Sequence, residues 1–264
     1  MKAFDFSYDG KNLSDFGFVI CNFGDKGLDT VSDGCQISFN TIPVLGGTKH
    51  YLASSQYEDC LETTIQICKH SCADGIQEIT ATEHRNITKW LNRRKFLKFK
   101  PLSEEYIDLY FEASFNISRI ELDGHLFGFE LEVITNRPFA LKEKRIINIK
   151  NTIQNGEHSI NDVSHEEGYI YPFTEIVIAE NGNLNIHNAI ENRDTYIANC
   201  VAGEIITMDY PVIQSSISSH NIQNDFNWNF FRVANTYENS RNDLIISIPC
   251  SIKIEYSPIV KVGL

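Results

Sequence analysis

At 264 residues, with 42 % hydrophobic and 11 % aromatic side chains, the chain is globular and long enough to bury a substantial core as one large β domain or two ordinary ones. Its net charge of −12 is shared unequally: residues 1–145 carry 17 basic and 21 acidic side chains, and residues 146–264 carry 6 and 14. So acidic a chain makes a poor free-standing ligand for nucleic acid or an anionic membrane, and the charge serves solubility. Residues 1–8 hold no apolar core segment, so no export signal is expected, and nothing approaches the roughly 18 apolar residues of a membrane-spanning helix.

In chain order, Phe4, Phe6 and Tyr8 alternate with polar residues and stop at Asp9-Gly10, a hairpin-type dipeptide. An apolar run follows at Phe16-Gly17-Phe18-Val19-Ile20, then a polar loop over residues 24–34. Gln36-Ile37-Ser38-Phe39-Asn40 alternates again, Pro43-Val44-Leu45-Gly46-Gly47-Thr48 reads as a loop, and residues 62–69 read as a strand. Thr80 with Glu83 three residues later fits a capping box. Ile87, Trp90 and Leu91 then share one face of a helix expected from about residue 81 to residue 94, with Trp90 in the core. Arg85, Lys89, Arg93 and Arg94 occupy the rest of its surface, and Pro101 keeps residues 96–99 extended.

Residues 106–118 and 126–134 form the next strand pair, with Asp123-Gly124 in the connection. After Arg137-Pro138 basic residues become sparse while Asn and Ile become common. Short alternating runs at 146–149, 174–179, 184–187, 204–208, 244–248 and 250–256 are separated by turns such as Asn155-Gly156 and Asn181-Gly182, which argues for an all-β sandwich. The chain is therefore expected to be mainly β and to divide into residues 1–142 and 143–264.

The search for chemistry yields little. Cys68-Lys69-His70-Ser71-Cys72 with His84 downstream offers metal-type ligands, but the second close pair of a structural zinc site is missing. Adjacent acids at Glu58-Asp59, Glu104-Glu105 and Glu166-Glu167 point to opposite faces of a strand, unlike the facing carboxylates of a glycosidase. No Gly-x-Ser-x-Gly elbow and no phosphate-binding glycine loop is present. No catalytic residue, cofactor or metal is expected, so the chain reads as non-enzymatic. Residues 85–100 carry seven Lys or Arg and no acid, which makes a solvated helix face or a docking surface for an acidic partner or neighbouring subunit. In the second half, Trp228, Tyr169 and Tyr171 are core aromatics or a sugar site.

Several of these segments resemble the distal tail proteins of long-tailed (siphovirus-type) bacteriophages and prophages. The stretch from Phe6-Ser7-Tyr8-Asp9-Gly10 to Asp15-Phe16-Gly17 is similar to the family's opening strand and turn, and Pro43-Val44-Leu45-Gly46-Gly47-Thr48 to its glycine loop. Ile87-Thr88-Lys89-Trp90-Leu91 with Phe96-Leu97-Lys98-Phe99 resembles its single helix and exit strand. Phe127-Gly128-Phe129-Glu130-Leu131-Glu132-Val133 with Arg137-Pro138-Phe139-Ala140 resembles the close of its first domain. Tyr171-Pro172-Phe173-Thr174-Glu175-Ile176, residues 203–209 and Ile252-Lys253-Ile254-Glu255-Tyr256 are similar to its C-terminal sandwich. Where the family usually shows a Pro-Gly-x-Asn turn, this chain has Asn239-Ser240-Arg241-Asn242-Asp243.

The resemblance implies an N-terminal β-barrel or sandwich-like belt domain with one α-helix, followed by a galectin-like β-sandwich. It further implies a homo-hexameric ring that joins the major tail tube protein to the tail hub, or tail-associated, protein. Such a ring anchors a receptor-binding protein, lets DNA pass only in transit and makes no use of a membrane. The expected location is the tail tip or baseplate of a virion, after synthesis in the bacterial host cytoplasm. Arg93 and Arg94 are the candidate subunit or partner interface. The alternative is a carbohydrate-binding protein acting through the C-terminal sandwich.

Overall fold

The computed structural model describes residues 3–23, 35–69, 77–236 and 238–264, and the chain divides into two units, Met1–Leu141 with Lys261–Leu264, and Lys142–Val260. The polar loop expected at 24–34 lies outside the described residues. Among the described residues no helix is long and apolar enough to cross a membrane.

The first unit comprises β1 (Phe6–Tyr8), β2 (Lys11–Asn12), β3 (Phe18–Cys21), β4 (Ile37–Pro43), β5 (His50–Tyr57), β6 (Glu62–Lys69), α1 (Ala81–Leu91), β7 (Leu97–Pro101), β8 (Leu109–Leu122), β9 (His125–Thr135) and β10 (Ala140–Lys142). Its main sheet runs β2-β1-β7-β8-β9-β6-β3, with β10 also on β8. The turn between β1 and β2 needs two residues of positive φ, and Asp9 (52°) and Gly10 (75°) supply them. The polar–apolar alternation of β8 and β9 sends Phe111, Ala113, Phe115, Phe129, Leu131 and Val133 into one core.

That core is closed by α1. Thr80 Oγ1 accepts the Glu83 N–H at 3.3 Å, and the Thr80 N–H donates to Glu83 Oε2 at 2.8 Å, so the capping box forms. Ile87, Trp90 and Leu91 are buried. The Trp90 ring stacks on Phe16 at 4.4 Å and on Phe6 at 5.7 Å, and its Nε1–H donates to the Tyr8 carbonyl at 3.0 Å. The helix is shorter than the sequence suggests. Asn92 caps it by donating to the Thr88 carbonyl at 2.9 Å, and its ψ of 86° turns the backbone away from the helical path.

Residues 261–264, which a boundary at 142/143 would assign to the second half, belong to the first unit. The physical reason is local: Leu264 is buried in the first core, and Tyr106 donates its hydroxyl to the Gly263 carbonyl at 3.1 Å.

The second unit comprises β11 (Arg145–Asn151), β12 (Gly156–Asn161), β13 (Gly168–Ile170), β14 (Phe173–Ile178), β15 (Gly182–Asn188), β16 (Arg193–Cys200), β17 (Ile205–Asp209), β18 (Val212–Ser215), α2 (Ile222–Asp225), β19 (Val233–Asn235), β20 (Arg241–Ile246), β21 (Cys250–Tyr256) and β22 (Ile259–Val260). A five-stranded sheet, β11-β21-β14-β17-β18, and a four-stranded sheet, β12-β20-β15-β16, contribute to one isoleucine-rich core. The residues standing where a Pro-Gly-x-Asn turn was expected open β20. There the fully buried Asn242 accepts from Asn188 Nδ2 and the Ala234 N–H at 2.8 Å each, and donates to the Ala234 carbonyl at 2.8 Å. A buried amide is tolerated because its hydrogen bonds are made inside the protein.

Replacing Trp90 by Ala removes two ring stacks and a buried hydrogen bond at once. We expect a loss of about 3–5 kcal/mol, measured by chemical denaturation of the full chain.

Candidate functional site: assembly surfaces

Apolar side chains reach solvent most densely on the β4–β5 hairpin, which stands apart from the main sheet. Its register pairs Ile37 with Tyr57 and Phe39 with Ser55 on one face, shifts between Asn40 and Thr41, and continues with Thr41 opposite Leu52 and Ile42 opposite Tyr51. Ser38, Asn40, Ser54 and Gln56 share the other face, where Asn40 Nδ2 donates to Ser54 Oγ at 2.9 Å. Beyond the register shift both faces carry apolar side chains, Leu52 on one and the Ile42–Tyr51 pair on the other, and Phe39 is 62 % exposed and Leu52 59 %.

Ile42, Tyr51 and the fully exposed Leu45 carry the apolar surface to the tip. At the base, Tyr57 meets Phe139 edge-on with ring centres 6.2 Å apart. A lone two-stranded hairpin is marginal in water, and exposed apolar side chains gathered on one element suit contact with another chain. Sequence reasoning finds no strand at His50–Tyr57, because Tyr51-Leu52-Ala53-Ser54-Ser55 lacks the two-residue alternation of a half-buried strand. The Gly46-Gly47 pair between two extended runs is the signal that points to the hairpin.

Arg93 and Arg94 lie in the connection between α1 and β7, beyond the helix end. Arg93 folds back to donate from Nε to the Trp90 carbonyl at 3.3 Å, and its guanidinium stands 3.7 Å from the Asp9 carboxylate. Its side chain is thus partly committed to bracing the helix on the first turn, while Arg94 is exposed. Arg85, Lys89, Lys95 and Lys98 are exposed as well, so the basic run forms one solvent-facing stretch.

The metal-type cluster divides differently. His70 and Cys72 lie outside the described residues, Cys68 sits in β6, and His84 stacks on Phe129 at 5.5 Å. Among the described residues no group of three or more His, Cys, Asp or Glu is arranged to hold a metal. In the second unit, Tyr169, Tyr171 and Trp228 fall in a single run of contacting rings.

One buried polar cluster escapes sequence reasoning because its members are scattered. Glu204 has no exposed surface; its carboxylate accepts from Ser215 Oγ at 2.5 Å and the Val201 N–H at 3.0 Å, and lies 2.5 Å from His220 Nδ1. The serine hydroxyl is directed at the carboxylate and not at the imidazole, so the cluster lacks the nucleophile-to-base contact that serine catalysis requires. It ties the segment after β18 to the sandwich. Burial alone would raise the Glu204 pKa, but the hydrogen bonds from Ser215, His220 and Val201 outweigh it and hold the carboxyl below its ordinary value.

With this geometry in view, comparison with known proteins identifies the class. A family model described as a phage tail protein N-terminal domain matches residues 1–137, and one described as a phage tail C-terminal domain matches residues 139–256. The chain belongs to this phage tail protein family, and it is a structural protein of the tail. Among solved structures it is similar to the Dit (gp 19.1) protein of SPP1, described as a paradigm of the hub adsorption apparatus in phages that infect Gram-positive bacteria. The TM-score is 0.61 at 12 % identity, over 97 % of this chain and 99 % of that one, so the two share a fold. No curated protein sequence matches.

The Glu204 cluster sets an acid limit on stability. A native carboxyl held below its unfolded value contributes stability above about pH 4.5. That contribution is lost as pH falls through the lowered native pKa. Glu204→Ala is expected to cost about 3–5 kcal/mol near neutrality, because a buried imidazole and hydroxyl lose their acceptor. By calorimetry of the full chain, the gap between wild type and variant should narrow on acidification.

Proposed function

We propose that this protein is a component of a phage tail tip or baseplate, assembling into a homo-hexameric ring that joins the tail tube to the tail hub and the receptor-binding apparatus. The observation that carries this reading is the set of exposed apolar side chains on the β4–β5 hairpin, which a neighbouring copy in a ring would cover. The family match and the likeness to SPP1 Dit support it. In this reading the ring-forming belt is the first unit, and the second is a galectin-like outer module. The partners are further copies of the chain, the major tail tube protein, the tail hub protein and a receptor-binding protein, with no membrane involved. DNA passes through the ring in transit. A net charge of −12 suits passage, since gripping phosphates needs a basic lining. Assembly follows synthesis in the bacterial host cytoplasm.

Arg94, and Arg93 to the extent that Asp9 leaves it available, are placed in this proposal at a contact with an acidic neighbour. Their substitution by Glu should weaken that contact severalfold, with a larger effect at low salt.

Native mass spectrometry and light scattering of the full chain, alone and with tube and hub partners, test the ring. Wild type should form a closed oligomer. Phe39→Asp with Leu52→Asp should weaken it at least tenfold without changing circular dichroism, because both side chains are exposed in the single chain. A chain that stays monomeric even with both partners, or a double variant that assembles as well as wild type, would overturn the proposal.

A further inference from the structure

The second unit carries a row of aromatic rings that runs from its core into solvent. Tyr169 meets Tyr171 edge-on at 5.5 Å, Tyr171 stacks on Tyr210 at 4.3 Å and 12°, and Tyr210 meets Phe230 at 5.3 Å. Trp228 continues the row at 6.5 Å from Phe230. Phe230 is buried and anchors the row, whereas Tyr169, Tyr210 and Trp228 are 56 %, 55 % and 57 % exposed.

Trp228 is the informative member. Its φ of 60° lies in the left-handed region, which is unfavourable for a bulky side chain and persists only where the surroundings enforce it. Asn227 does the enforcing. Its N–H donates to the Tyr196 carbonyl at 3.1 Å, its Oδ1 accepts from the Tyr196 and Asn229 N–H groups at 3.2 and 3.0 Å, and its Nδ2 donates to the Asp194 carbonyl at 3.0 Å. The turn is thus locked to β16, and what it fixes is a large ring in solvent.

The other end of the row is pinned as firmly. The Arg232 guanidinium lies 3.8 Å from the centre of the Tyr169 ring and is held by Glu191, with Nε to Oε1 at 2.8 Å and to Oε2 at 3.0 Å. One face of Tyr169 is covered by Arg232 and one face of Tyr210 by Tyr171, so the ring surface left to solvent, that of Trp228 above all, is what suits the C–H face of a pyranose, whose positive edge complements the negative ring face. The setting decides which sugars. The cation at the row is spent on Glu191, Asp209 is exposed beside Tyr210, and residues 146–264 carry 6 basic side chains against 14 acidic. Polymers bearing phosphate or carboxylate are repelled by such a surface.

We infer that the aromatic row from Tyr169 through Tyr210 to Trp228 is a binding platform for uncharged oligosaccharide. The platform lies within the second unit and does not depend on ring assembly. Full-length protein would be applied to an array of neutral glucose-, galactose- and N-acetylhexosamine-containing oligosaccharides, with glycerol-phosphate polymers as charged controls. Hits would be titrated by calorimetry. Neutral glycans should bind, Trp228→Ala and Tyr210→Ala should each weaken binding at least tenfold, and Trp228→Phe should retain part of it. An unchanged melting temperature shows that the variants fold. The inference is overturned by the absence of any neutral-glycan signal, by binding that survives Trp228→Ala, by preference for the phosphate polymer, or by burial of Trp228 against a protein partner in assembled tails.

Discussion

The position of Trp90 is the constraint on which the first unit depends. A single indole is held between Phe6 from the first strand and Phe16 from the turn before β3, while its N–H reaches the Tyr8 carbonyl. Three separate pieces of chain are therefore fixed by one side chain: strand β1, the turn before β3 and α1. The capping box at Thr80 starts the helix at a defined residue and so sets the rotation at which Trp90 arrives. The aromatic contacts spread from there to Phe99 on β7 and Phe115 on the long strand β8. With this centre rigid, the hairpin can present apolar side chains to solvent without compromising the body that carries it.

The second unit solves a different problem. Its composition is rich in Ile and Asn, and the two residue types divide the interior between them. Isoleucine fills the space between the sheets, whereas asparagine handles the points where backbone groups would otherwise be stranded. Asn242 bonds the Ala234 peptide from both sides, and Asn151 donates to the carbonyls of Ile246 and Ile248. The same device operates at Asn227, where hydrogen bonds of the side-chain amide hold the turn.

How much of this was legible follows from what burial does to a sequence. Strands with one face in a core announce themselves by alternation, and β1, β8, β9, β14 and β21 fall where Phe6 and Tyr8, Phe111, Phe129, Ile176 and Ile254 repeat every second residue. The helix was legible from Thr80, Glu83 and Trp90, but its end was not, since Arg93 and Arg94 are good helix formers and only the Asn92 cap stops it. The β5 strand was illegible for the reason that makes it interesting. Its apolar side chains are exposed in the single chain, so they carry no two-residue record of burial. The Glu204, Ser215 and His220 cluster was hidden because its contacts join residues 11 and 16 positions apart without a spacing rule.

The closing residues of the first unit have a consequence for the order in which the protein is made. Leu264 occupies the first core and Gly263 accepts the Tyr106 hydroxyl, yet both are synthesised after all of Lys142–Val260. The unit that begins emerging from the ribosome first therefore cannot finish its interior until the other has been translated in full. A nascent chain holds an incomplete first unit throughout its synthesis, which defers completion of that unit to the moment when the second unit is also present.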